Sequence, residues 1–188
     1  MELVLVSQRP ALDVVAPTRK AVADVRALYT AHASQLRLGL ARLLGGKADV
    51  DDVLQEIFVI AVRRKQELAL AQSEVGWLYG VGVKLVAARR RRFKVRKWLG
   101  LNEAEHVANT HSPFRSVEQR EAAALLHRAL EELPSGQRET LVLFELQGLS
   151  GEEVAQALGI ALPTVWTRLS LGRTALAAAV ERVGGGSR

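Results

Sequence analysis

The sequence predicts an all-α protein of two small helical domains joined by a flexible linker, the C-terminal one containing a helix-turn-helix. Apolar residues recur three and four positions apart in successive segments, which is the period of helices that bury one face. Between two groups of such segments, residues 99–117 lose this period and contain asparagine, serine, threonine and proline. The predicted divisions are a loose N-terminal tail at 1–20, a first domain at 21–98, the linker at 99–117, a second domain at 118–183 and a disordered tail at 184–188.

The composition of the 188 residues indicates a globular protein with an anionic partner. Hydrophobic residues make up 48% of the chain, and the net charge of +6 favours nucleic acid or a membrane surface. There is no cysteine and the four histidines lack metal-ligand spacing, so no disulfide, metal or cofactor is predicted. No apolar stretch is long enough for a membrane span or a signal sequence, which predicts a soluble cytoplasmic protein without membrane insertion.

Five helices are predicted ahead of the helix-turn-helix, and turn-forming residues separate them. Asp49 or Asp51 is expected to cap the second helix, and Ser135 the fifth. Pro134 ends the fourth helix and Gly148 ends the fifth. The five helices cover about 22–44, 50–64, 77–92, 118–133 and 136–147.

The second predicted helix carries an acidic surface made of Asp49, Asp52 and Glu56, with Gln55 beside them. Like charges at these spacings repel one another, so the helix itself gains nothing from them. Spacing leaves two explanations open: a solvated face near the positive end of the helix dipole, or a docking patch for a basic partner. No histidine, serine or glycine-rich loop accompanies the carboxylates in a recognisable arrangement, so the sequence does not predict an enzyme.

The third predicted helix, at 77–92, runs into a strongly basic segment. Lysine and arginine dominate residues 84–97 and no acid occurs among them, which favours phosphate contacts with nucleic acid. The alternative is a solvated basic end near the negative end of the helix dipole. Phe93 and Trp98 lie between the charges, where they would either stack on bases or pack in a core.

The last third of the chain predicts two short helices joined by a tight turn. Ser150 and Glu153 form a capping box for the first helix, and Gly159 is suited to end it. Pro163 suits the first turn of the second helix. The core positions of that helix are Val165, Leu169, Gly172 and Leu176. This arrangement predicts a helix-turn-helix whose second helix enters the DNA major groove; the alternative is an ordinary helical hairpin.

Both halves of the chain resemble one family, the extracytoplasmic-function (ECF) group of bacterial sigma-70 factors, over about residues 22–183. In the first half, Asp49-Val-Asp-Asp-Val-Leu-Gln-Glu-Ile-Phe is similar to the family's acidic signature, and Trp77-Leu-Tyr with the arginine run is similar to its next helix. In the second half the similar motifs are Leu133-Pro, Gln137-Arg-Glu, Leu149-Ser-Gly-Glu-Glu-Val-Ala, Leu158-Gly-Ile, Thr164-Val and Thr167-Arg-Leu.

The resemblance implies a role for each block and names the partners. Core RNA polymerase would be bound by Asp49, Asp52, Gln55 and Glu56. The −10 promoter element would be contacted by Trp77, Lys84, Arg89, Arg90, Arg91 and Arg92. The −35 element would be contacted by Thr164, Trp166, Thr167, Arg168 and Arg173. An anti-sigma protein is the further partner that the resemblance implies, and members of the family carry out no covalent chemistry.

The chain departs from the family pattern at two places. Gly82-Val83-Lys84 stands where an Ala-Arg-Asn sequence is frequent, and Trp166 and Leu171 stand at frequently basic positions of the recognition helix. Trp166 has three open explanations: contact with DNA, internal packing or contact with a protein. Two other functions stay as alternatives, namely a helix-turn-helix regulator that acts without core polymerase and a sigma-like adaptor that no longer melts promoters.

Overall fold

The structure is a computed structural model that describes residues 24–45, 50–100 and 117–185. Within these ranges the chain is helical and has no strand, so the predicted all-α class is confirmed. The helices are α1 (Val25–Leu44), α2 (Val50–Arg63), α3 (Lys65–Leu70), α4 (Glu74–Trp98), α5 (Val117–Glu132), α6 (Ser135–Leu141), α7 (Gly151–Leu158) and α8 (Leu162–Gly185). A π-helical segment, Val142–Leu146, continues α6. The domain boundaries stay a prediction, since most of the expected linker lies outside the described ranges.

Helices α1, α2 and α4 form the core of the N-terminal half because each carries an apolar face. Leu36 and Leu40 of α1 are fully buried, as are Ile57 of α2 and Leu78 of α4. Asp24 caps α1 by accepting hydrogen bonds from two backbone amides, and Gly45 ends it with a φ of 79°. This left-handed conformation favours glycine.

Helix α3 was not predicted, because the six-residue segment has no apolar period. Leu68 is its single buried residue, and Arg64 at its N-cap makes no side-chain capping bond. A helix this short gains little from its own hydrogen bonds, so contacts with α2 and α4 stabilise it.

Several predicted helix ends are wrong or incomplete. Asp51 lies inside the first turn of α2 and is not its cap, while Asp49 lies outside the described residues. Ser135 is the first residue of α6, and Pro134 occupies the N-cap without a side-chain bond. Helix α4 is longer than predicted at both ends, and α8 continues to Gly185, into the stretch expected to be a disordered tail.

The C-terminal half contains the predicted helix-turn-helix. Ser150 and Glu153 form the expected capping box at the start of α7, with reciprocal hydrogen bonds of 2.8 and 3.2 Å. Gly159 ends α7 with a φ of 64°, as a left-handed C-cap does. Val165 and Leu169 of α8 are buried against α6 and α7, so the helix-turn-helix is held from behind by the preceding helices.

The two halves pack directly on one another, chiefly through α4 and α7. Gly76 and Gly80 of α4 face α7, where a Cβ atom would stand 3.2 Å from the Glu153 carbonyl oxygen or 3.0 Å from that of Ala157. The absence of a side chain at these two positions lets the helix backbones approach closely. Ser73, the N-cap of α4, donates a 2.7 Å hydrogen bond from its hydroxyl to Glu153.

Polar contacts extend this junction on the side of α1. Burial raises the pKa of Tyr79 well above its ordinary range, and the Tyr79 hydroxyl lies 2.9 Å from Oε1 of the buried Gln147. Gln35 donates to the Gln147 carbonyl oxygen at 2.7 Å, and Arg42 donates to that of Leu146 at 3.1 Å. None of the helices in the described ranges combines the length and apolarity needed to cross a membrane.

Candidate nucleic-acid interface

One side of α4 forms a positively charged surface. Trp77, Lys84 and Arg91 are spaced by seven residues, which is nearly two turns, so they lie along one side of the helix. Lys84, Arg91 and the neighbouring Arg92 are exposed, whereas Trp77 is half-buried. These side chains are placed to meet an anion without rearrangement of the helix core.

Two of the predicted DNA-binding arginines of α4 form ion pairs with acids of the chain. Arg89 donates to Glu56 of α2 at 3.2 Å. Arg90 makes a bidentate pair with Glu131 of α5, at 2.7 and 2.8 Å, and donates to the Leu43 carbonyl oxygen at 2.8 Å. Such paired, planar contacts fix the Arg90 guanidinium between the two halves of the chain.

The Arg90–Glu131 pair belongs to a small charged cluster. Burial raises the pKa of the Glu131 carboxyl, but the hydrogen bond and charge of Arg90 and the charges of Arg138 and His127 outweigh burial, so that this pKa lies below its ordinary value. Arg138 is buried, 3.7 Å from Glu131, and donates to the Leu130 carbonyl oxygen. The cluster thus stabilises the ionised form of Glu131.

The acidic surface of α2 is exposed in the part that the structure describes. Asp52, Gln55 and Glu56 are all exposed, although Glu56 also accepts from Arg89. The preceding Asp51 forms an ion pair of 2.6 Å with Arg37 of α1. Asp49, the fourth residue predicted to bind polymerase, lies outside the described residues. The surface therefore retains carboxylate and amide groups that are not buried in the helical core.

The start of α8 is held so that one side faces outward. Thr164 and Thr167 are exposed, while Val165 between them is buried in the core of the C-terminal half. This alternation follows from the helical period and agrees with the sequence analysis. The first turns of a recognition helix supply the contacts to base edges in helix-turn-helix proteins.

The two arginines predicted to contact the −35 element both turn toward neighbouring helices. Arg168 packs on α6, where its Cζ stands 3.0 Å from the position of a Cβ atom on Gly136. Burial raises the pKa of the nearby Glu139, and the charges of Arg138 and Arg168 oppose that rise. Arg173 donates from Nε to Glu145 at 2.8 Å.

Trp166 is divided between internal packing and solvent. Its ring lies edge-on to Phe144, with centroids 5.6 Å apart, and covers Gly151, where a Cβ atom would be 2.7 Å from the indole. The side chain nevertheless stays 47% exposed. Trp166 therefore fixes the start of α7 against α8 and leaves an indole edge at the surface.

The residues that join the halves were not predicted from the sequence, among them Gly76, Gly80, Gln147 and Glu131. The spacing of four between the two glycines on one helix was the available signal, because it marks a face that permits close approach. Nothing local distinguishes Gln147 or Glu131, whose partners lie 68 and 41 positions away. Within the described residues, no cluster of histidine and acidic side chains could hold a metal ion.

Comparison with known proteins identifies related chains for most of this sequence. Residues 123–176 match the family model Sigma-70, region 4. The chain is 32% identical over 151 residues to the ECF RNA polymerase sigma factor SigE of Mycolicibacterium smegmatis, covering 79% of this chain and 58% of that protein. It is also 32% identical over 151 residues to the ECF RNA polymerase sigma factor SigM of Mycobacterium tuberculosis, covering 80% of this chain and 74% of SigM.

A solved structure has a similar fold. It is the sigma factor RpoE in complex with the anti-sigma factor NepR from Bartonella quintana, with a TM-score of 0.62 and 19% identity over 87% of this chain and 99% of that chain. At this identity the likeness concerns the fold alone. The sequence identity to SigM and the region 4 match in the helix-turn-helix show the family: the chain belongs to the ECF RNA polymerase sigma factors.

Proposed function

We propose that this chain binds core RNA polymerase and directs it to the −35 and −10 elements of promoters to initiate transcription. The observation that carries the proposal is the presence of three exposed surfaces on one member of this family. They are the acidic surface of α2, the basic side of α4 and the outward side of α8 in the helix-turn-helix. No single one of them would favour this function over a plain DNA-binding protein.

The acidic surface of α2 is the proposed polymerase-binding site, through Asp52, Gln55 and Glu56 and, from the sequence, Asp49. Exposed carboxylates on one face are suited to a basic partner surface, where complementary charge gives orientation and fast association. The Arg89–Glu56 ion pair is partly exposed and therefore weak, so a basic partner group can replace Arg89 at little cost.

The two proposed DNA-binding surfaces contact different promoter elements. The basic side of α4 supports contact with the −10 element through Trp77, Lys84, Arg91 and Arg92, with phosphate neutralisation as the main source of affinity. The start of α8 supports contact with the −35 element, since a recognition helix presents its first turns to the major groove.

Partners and location follow from this role. An anti-sigma protein is a further proposed partner, supported by the likeness to a sigma factor that was solved with one. The chain would contribute binding energy and no covalent chemistry, and would act in the cytoplasm with the polymerase.

The test of this function is transcription from a pool of genomic DNA by the purified full chain with bacterial core RNA polymerase. Discrete transcript starts that share two upstream motifs are expected. A stable complex with core that yields no transcripts would favour the adaptor, and DNA binding without any core complex would favour the plain regulator.

The polymerase contact has a separate test. Replacing Asp52 and Glu56 together by lysine should abolish binding to core, because repulsion then replaces attraction at the docking surface. A matched control replaces two exposed acids elsewhere, Glu67 and Glu121, by lysine and should leave binding intact. Equal binding by both double variants would remove α2 as the docking surface.

A further inference from the structure

The outward side of α8 carries a row of methyl groups. Thr164, Thr167, Leu171 and Thr174 follow one another at spacings of three, four and three, so they lie along one face of the helix. All four are exposed, and Leu171 is 55% exposed although it is fully apolar. We call these four residues the methyl face.

The hydroxyl groups of the methyl face are partly used by the helix itself. Thr167 donates from Oγ1 to the Pro163 carbonyl oxygen at 3.1 Å, and Thr174 donates to the Ser170 carbonyl oxygen at 3.3 Å. A threonine hydroxyl has a single hydrogen, so these two side chains offer a methyl group and acceptor lone pairs to any partner.

Charged side chains do not contribute to this face. Arg168 packs toward Gly136 of α6, and Arg173 is paired with Glu145. Guanine is usually recognised by arginine or lysine donors to its O6 and N7 atoms, whereas threonine methyl groups and apolar side chains suit the C5 methyl of thymine. The chemistry of the methyl face therefore matches thymine better than guanine.

We propose that the methyl face recognises the C5 methyl groups of thymines in the major groove of the −35 element, with Thr167 and Leu171 as specificity-determining residues. The inference rests on the proposed sigma function and assigns the chemistry of its −35 contact. Thr164 to Leu171 spans about 10 Å of helix, which matches about three base pairs. Leu171 thereby gains a role at a position where the family frequently has a basic residue.

The experiment uses the full chain with core polymerase and a promoter taken from the mapped transcript starts. Each thymine of the −35 element, on either strand, is replaced singly by deoxyuridine, which keeps base pairing and lacks the methyl group. Promoter binding should weaken about fourfold at a contacted thymine, the effect of one buried methyl group. Unchanged binding at every thymine, or a −35 element without thymine on either strand, would overturn the inference.

Two variants of Thr167 separate the methyl from the hydroxyl. Thr167→Ser removes the methyl and should weaken binding to the unmodified promoter about fourfold. On a promoter with deoxyuridine at the contacted thymine, Thr167→Ser should bind as well as wild type, because the methyl contact is already absent. Thr167→Val keeps a methyl and should bind normally. A tolerated Thr167→Ser with a defective Thr167→Val would assign recognition to the hydroxyl and overturn the proposal.

The unmodified promoter distinguishes the two possible failures. If the wild-type chain gives no transcripts with core polymerase, the sigma function itself is wrong. If transcription starts normally but neither deoxyuridine nor Thr167→Ser changes promoter binding, the sigma function stands and the thymine contact is wrong.

Discussion

Gly80 of α4 lies against the backbone of Ala157 of α7, so closely that a Cβ atom at position 80 would stand 3.0 Å from the Ala157 carbonyl oxygen and 3.3 Å from its Cα. Because the neighbours are backbone atoms, they cannot turn aside as a flexible side chain would. The contact joins the proposed −10 helix to the first helix of the helix-turn-helix. The −35 and −10 elements lie about 25 base pairs apart, or about 85 Å along DNA. We therefore expect this contact to open when both halves bind promoter DNA together.

Replacing Gly80 by leucine should separate the halves while each keeps its own helices. The three atoms nearest to a Cβ at position 80 all belong to the Ala157 backbone, so a leucine side chain has no space there. The chain has no cysteine, so single cysteines introduced at the exposed Gln66 and Ser170 can carry a dye pair. Energy transfer between the dyes should fall in the Gly80→Leu variant with far-ultraviolet circular dichroism unchanged.

The matched control for this opening is Ala87→Leu, a change of similar size at an exposed position of the same helix. It should leave the energy transfer at the wild-type value. If Gly80→Leu also keeps the wild-type transfer, the close approach of α4 and α7 does not hold the halves together.

The Arg90–Glu131 pair should make the stability of the chain depend on acid pH. The pKa of Glu131 lies below its ordinary value in the fold, so its ionised form adds stability above the unfolded pKa of 4.5, and this is lost as pH falls through the folded pKa. Glu131→Gln should cost about 1 kcal/mol at neutral pH, a modest figure because the pair is partly exposed. The free energy of unfolding, measured with urea, should fall less between about pH 6 and about pH 3 for Glu131→Gln than for wild type.

The control for the pH dependence is Glu121→Gln, at an exposed position of the same helix. It removes one carboxyl without touching the charged cluster and should follow the wild-type profile. A Glu131→Gln variant that loses as much stability as wild type between the two pH values would show that Glu131 is not responsible.

Local signals explain what the sequence predicted well. The capping box of Ser150 and Glu153 and the left-handed Gly159 each lie at one end of α7, so a short stretch of sequence contains all the groups that form them. The apolar period of three and four residues likewise predicted helices that bury one face. Helix α3 could not be predicted in this way, because a segment with one buried residue, Leu68, has no apolar period to detect.

The unpredicted part of the candidate site depends on contacts between distant segments. Arg90 resembles its neighbours Arg91 and Arg92 in the sequence, yet only Arg90 meets Glu131, because the packing of α4 on the C-terminal half turns it that way. Arg168 is predicted to contact DNA from its place on the recognition helix, and its packing against Gly136 of α6 could not be read from that place. A run of like charges indicates an anionic partner. It does not indicate which of the arginines form ion pairs with acids of the chain itself.

The capping box of α7 should contribute measurably to the stability of the helix-turn-helix. Ser150→Ala removes the hydroxyl that accepts from the Glu153 amide, while the bond from the Ser150 amide to the Glu153 carboxylate can remain. The expected loss is about 1 kcal/mol in the free energy of unfolding, measured with urea. Ser150→Asp should restore most of it, since aspartate is also a good N-cap, and full stability of Ser150→Ala would contradict the prediction.

The exposed arginines of α4 should determine how promoter binding depends on salt. Arg91 and Arg92 are exposed and, unlike Arg89 and Arg90, form no ion pair with an acid in the described part of the chain, so each can neutralise one phosphate. For the polymerase complex, replacing both by alanine should lower the slope of log affinity against log salt by about two, measured between about 50 and 200 mM. The loss should be similar for all promoter sequences, because phosphates carry no base information.

Arg63 and Arg64 are also two consecutive exposed arginines, at the end of α2, and their replacement by alanine should leave the slope unchanged. An equal decrease for both pairs would mean that net charge, and not the basic side of α4, sets the salt dependence.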